Sequence, residues 1–106
     1  MEKLEYEFAQ VHNLLTQARE AMITYLQDVV RENNNEAVDF EKSVGAGIAE
    51  HYETWSVWGD EETGEFNVYD EKQNEVCRLG DCEWTELVEI TNAVSNSRTV
   101  KKLLNK

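Results

Sequence analysis

The chain has no proline, only two cysteines, and 10 basic residues against 22 acidic ones. Without proline there is no proline-rich linker. No apolar run approaches the roughly 20 residues that cross a bilayer as a helix. The opening Met1-Glu2-Lys3-Leu4-Glu5 does not read as a signal peptide, so a cytoplasmic location is expected. With no secretion signal, Cys77 and Cys82 are expected as free thiols in small core or boundary positions. The formal net charge of −12 argues against direct contact with nucleic acid or an anionic membrane, because phosphate recognition needs clustered Lys and Arg. It suits a basic protein partner, a cation, or solubility alone.

What is present describes one domain, residues 1–106. The chain is 41% hydrophobic and includes Trp55, Trp58 and Trp84, enough for a core without staples. Leu4, Phe8, Val11, Leu15, Ala18, Met22, Tyr25 and Val29 are spaced 4-3-4-3-4-3-4. That spacing predicts a long helix from residue 3 to about residue 32, with a heptad-like stripe. Leu14, Ile23, Leu26 and Val30 widen the stripe, which suits packing on the domain's own sheet. If Leu4, Phe8, Val11 and Leu15 are left uncovered, the same stripe predicts a homodimer through this helix. Asn33-Asn34-Asn35 ends the helix. Val38 and Phe40 alternate with Asp39 and Glu41, as in a short strand or an anchoring loop.

Residues 51–79 read as an antiparallel meander, with strands near 51–58, 65–69 and 75–79 separated by Gly- and Asp-rich turns. Alternation puts Trp55, Val57, Phe66, Val68, Cys77 and Leu79 on the buried face, and Tyr52, Thr54, Trp58, Tyr69 and Arg78 on the other. A last helix is expected to open at an Asp81 N-cap, bury Trp84, Leu87, Val88, Thr91 and Val94, and break near Ser95-Asn96-Ser97. The expected class is α+β: a long N-terminal helix, a three- to four-stranded antiparallel meander, and a C-terminal helix packed on one face of the sheet. Trp55, Phe66, Val68, Trp84 and Leu87 are expected to be mostly buried.

No catalytic motif stands out. Ser43-Val44-Gly45-Ala46-Gly47 lacks the GK[ST] ending of a phosphate loop, and Asp60-Glu61-Glu62-Thr63-Gly64-Glu65 lacks the alternation of a calcium loop. Cys77-x4-Cys82 is one ligand pair without a second. No metal or cofactor is expected. His51 beside Glu53 can be drawn as a base with an orienting carboxylate, although period two alone puts them on one strand face.

Two surfaces do stand out. Residues 60–89 hold eleven acids against Lys72 and Arg78, a net −9. Among these acids, Asp60, Glu61, Glu62 and Glu65 form a hairpin tip, and Glu83, Glu86 and Glu89 form a ridge on the last helix. Such arrays can imitate a phosphate backbone. Tyr52, Trp58 and Tyr69 would stand together on the sheet's outer face, as apolar anchors inside a polar rim.

The Trp55-Ser56-Val57-Trp58-Gly59 segment before the acidic hairpin, and Trp84-Thr85-Glu86-Leu87 opening the last helix, resemble small acidic helix–sheet–helix proteins of bacteria and their phages. The resemblance covers residues 20–95 and carries over no catalytic residue. It implies an inhibitor-like role, since such proteins include inhibitors of host nucleases and of CRISPR effectors. The expected function is therefore a non-enzymatic acidic protein-binding module. It would occlude a basic, nucleic-acid-binding surface of a partner protein through the ten residues of the two surfaces. The rival expectations are a small enzyme or ligand-binding domain with a pocket near His51, and a homodimeric scaffold built on the first helix.

Overall fold

The computed structural model describes residues 2–45, 51–60 and 62–105. Helix α1 (Glu2–Glu32) leads into strands β1 (Val38–Ser43), β2 (Tyr52–Asp60), β3 (Glu65–Tyr69) and β4 (Glu75–Arg78). A 3-10 turn (Leu79–Asp81) and helices α2 (Trp84–Ser95) and α3 (Arg98–Leu104) follow. The sheet order is β1-β2-β3-β4, and each neighbouring pair is antiparallel. This is the expected α+β arrangement, with a fourth strand from the Val38–Phe40 alternation and with two C-terminal helices. The second of them forms because Ser97 restarts the helix: its hydroxyl accepts the Val100 N–H at 3.2 Å.

The turns are built by short polar side chains. Asn34 and Asn35 end α1 at φ of 60° and 59°, a left-handed conformation that Asn tolerates. The Asn33 side chain donates to the carbonyls of Glu36 and Ala37. Asp60 accepts the Glu62 N–H, and Gly64 supplies the positive φ that the β2–β3 hairpin requires. Asp70 accepts the N–H groups of Lys72 and Asn74, both at 2.9 Å. Gly59 pairs with Phe66, and a Cβ at Gly59 would lie 2.4 Å from the Phe66 ring.

The register assigns the faces as alternation predicts. The inner face carries Val38, Phe40, Trp55, Val57, Phe66, Val68 and Cys77. It packs against Leu26, Val29 and Val30 of α1, Leu87, Ile90 and Val94 of α2, and Val100 of α3. The outer face carries Tyr52, Thr54, Ser56, Trp58, Asn67, Tyr69 and Arg78. β2 continues four residues past its last pair with β3, Ser56–Tyr69. There the Thr54 N–H donates to the Glu71 carboxylate at 3.4 Å.

Four expectations are corrected. Trp55 and Phe66 are half-buried at the sheet margin, where Lys42 and Arg31 stand over their rings at 5.0 and 5.4 Å. Trp84 is 40% exposed because it is the first residue of α2, ahead of the packed stripe Leu87-Ile90-Val94. Asp81 lies in the 3-10 turn, and Glu83 takes the N-cap position without a side-chain capping bond. Cys77 and Cys82 are disulfide-bonded, not free, because the 3-10 turn brings their Cα atoms to 5.5 Å.

α1 divides into two parts. From Met22 onward its apolar side chains join the core. Before that it extends into solvent, so the heptad-like stripe is only half used by the domain's own packing. The boundary is fixed by Arg19, which donates to the carbonyls of Gly80 (3.0 Å) and Cys82.

Candidate functional site

The outer face of the sheet is the strongest candidate. Helices α1, α2 and α3 contribute their buried residues to the core on the other face, and alternation sends every second side chain outward. One cross-strand row runs Asp39, Ser56, Tyr69 and Glu75, and the next runs Trp58, Asn67 and Arg78. Trp58 and Tyr69 are diagonal neighbours, with ring centroids 6.5 Å apart and planes tilted by 48°. Between them Ser56 is only 6% exposed and forms the floor of a cleft.

That cleft has a volume of about 500 Å³ and is lined by Asn35, Glu36, Ala37, Ser56, Trp58, Tyr69 and Gln73. Its walls are aromatic, and its rim is amide and carboxylate. The Asn67 amide donates to the Tyr69 hydroxyl at 3.4 Å, while the buried Asn67 Oδ1 has no hydrogen-bond partner among the described residues. Asp39 and Glu41 on β1 share this face, and the Asp60–Glu65 rung closes its far end beside Trp58.

The predicted site residues separate into groups. Trp58 and Tyr69 come together as expected. Tyr52 shares their face and is 53% exposed, but it lies six residues from Trp58 on the same strand, about 20 Å away. Asp60 spends its carboxylate on the hairpin turn. Glu65 stands 3.5 Å from the Arg78 guanidinium. Glu62 is exposed at the tip, and Glu61 lies outside the described residues.

The Glu83-Glu86-Glu89 ridge is corrected. Glu83 is exposed, but Glu86 and Glu89 stand 3.6 and 2.8 Å from the ammonium of Lys42, whose side chain is 7% exposed. A spacing of three on a 3.6-residue helix drifts back about 60° per step, so the three carboxylates do not share one line. The ridge belongs to the helical layer, on the far side of the sheet from the aromatic cleft.

His51 is exposed, and its Nε2 lies 3.9 Å from Glu53, beyond hydrogen-bond reach. Glu53 instead accepts from the Trp55 indole at 3.1 Å. His51 lines neither the aromatic cleft nor the larger polar one beside β1 and α3, where Asp39, Glu41, Arg98 and Lys101 face one space of about 810 Å³. Among the described residues no cluster of His, Cys, Asp or Glu is arranged to hold a metal ion.

Sequence reasoning missed Lys42, Glu36, Asp39, Asn35 and Gln73. Lys42 was in phase with Val38 and Phe40, which marked it as inward-facing. Asn35 and Gln73 reach the cleft from two different turns, and no local pattern joins them. The chain matches no protein-family model, no curated protein and no solved structure.

Proposed function

We propose that this chain is a non-enzymatic binding module that uses the open sheet face to capture a basic surface on a protein partner, such as the nucleic-acid groove of an enzyme. The observation that supports it most is the Trp58–Tyr69 cleft with the Glu36 carboxylate on its rim. An Arg or Lys side chain of the partner fits such a cleft, with its cation over the ring faces and its charge balanced by Glu36. Glu62 and Glu65, with Asp60 beside them, steer the encounter. Tyr52 extends the contact along β2. Glu86 and Glu89, already engaged by Lys42, play no part in this reading; Glu83 adds only diffuse charge.

The mechanism is steric and electrostatic occlusion, with association that is fast at low salt. Affinity capture from extract at low and high salt identifies the partner, and binding kinetics then test the site. Trp58→Ala should raise the dissociation rate at least tenfold with the fold unchanged. Reversing Glu62 and Glu65 to Lys should slow association instead. A partner indifferent to salt, to Trp58→Ala and to the reversals would overturn the reading.

A further inference from the structure

The solvent-exposed part of α1 has the composition of an interface. Leu4, Phe8, Val11 and Leu15 are 59%, 73%, 53% and 46% exposed and keep the 4-3-4 spacing of a coiled-coil seam. Leu14, 64% exposed, widens the stripe. From Phe8 to Ala18 there is no Asp, Glu, Lys or Arg. Over residues 3–19, Lys3 and Arg19 balance Glu5 and Glu7, giving zero net charge, whereas residues 20–106 carry 19 acids and 8 bases, a net −11. A basic partner gains no attraction on this stretch. A second copy of the chain, acidic everywhere else, meets no repulsion there.

We propose that residues 3–18 of α1 pair with the same segment of a second copy in an antiparallel coiled coil. One register satisfies every layer: Leu4 against Leu15, and Phe8 against Val11, each an a position facing a d position. The two-fold axis then repeats both pairs. In this register Glu5 faces His12. The antiparallel arrangement sends the two −11 bodies to opposite ends of the helix pair, whereas a parallel one would place them side by side. At about 100 Å² for each apolar side chain, the five residues bury on the order of 500 Å² per copy. The resulting ~1,000 Å² is near the lower limit for a specific interface.

The test uses the full chain alone. Sedimentation across micromolar concentrations should show a monomer–dimer equilibrium. Phe8→Glu should weaken it at least tenfold, while unfolding followed at a concentration low enough for both chains to be monomers should be unchanged, showing that the domain body is intact. Leu4→Cys chains oxidised together with Leu15→Cys chains should cross-link, while Leu4→Cys alone should not. A monomer at every concentration overturns the proposal, as does a cross-link within Leu4→Cys alone, which reports a parallel pair. Binding of a monomer to phosphatidylcholine vesicles overturns it in favour of a lipid surface. The helix pair lies away from the open sheet face, so loss of dimerisation and loss of partner binding are separate results.

Discussion

Lys42 is the residue on which most depends for its size. Its stem lies among the inner-face residues, its ammonium sits over the Trp55 ring, and it stands between the carboxylates of Glu86 and Glu89, offsetting one of their two charges. Lys42→Ala removes the stem packing and leaves two carboxylates facing each other, so a loss of about 2 kcal/mol is expected in urea unfolding. Lys42→Met restores the stem packing but not the charge, so only part of that loss should be recovered. The disulfide makes a second residue-scale prediction. Closing so short a loop restricts the unfolded chain by about 2 kcal/mol, so reduction should lower the melting temperature by roughly 10 °C, measured with and without dithiothreitol. The bond also bears on the cytoplasmic expectation, because a reducing cytosol holds such pairs open. Lys42 was legible in the sequence, since it continues the Val38-Phe40 phase. The disulfide was not, because a separation of five residues says nothing of whether the chain between them turns.

Among the elements, the sheet was the most legible. Each strand has one clear apolar phase, and a one-residue slip would have exposed Val57 and Val68 together. The start of α2 was harder, because Asp81 and Glu83 both resemble caps and only the 3-10 turn decides between them. The fate of α1 was not legible at all. The same 4-3 spacing runs through Leu4–Leu15 and through Met22–Val29, and periodicity reports an apolar face without saying what covers it. The structure predicts that the two halves differ energetically. Deleting residues 1–15 removes about four turns of helix that the core does not use, since Arg19 and the residues from Met22 onward make the contacts. Urea unfolding of the truncated chain should show a stability within about 1 kcal/mol of the full chain.

At the scale of the whole molecule, charge is distributed unevenly. The body after residue 19 carries nearly all of the net −12 on its surface. Among the described residues few acids have a cation beside them: Glu86 and Glu89 share Lys42, Glu65 has Arg78, and Asp28 has Arg31. Self-repulsion therefore outweighs pairing. Adding salt shortens the Debye length from about 30 Å at 0.01 M to about 8 Å at 0.15 M, which screens repulsion across the body more than it weakens the contact pairs. The melting temperature should rise by a few degrees over that range. A fall would mean that the Lys42 and Arg78 pairs matter more than the net charge.

The contact between Glu71 and Thr54 has a colloidal consequence. Where β2 outruns β3, its backbone presents an edge on which a strand from another molecule could add, the first step towards a fibril. The Glu71 carboxylate already holds the Thr54 N–H there. An incoming strand has to displace that carboxylate and then pair beside a negative charge. Glu71 is thus a gatekeeper, one whose removal would alter the rate of aggregation far more than the free energy of the folded chain.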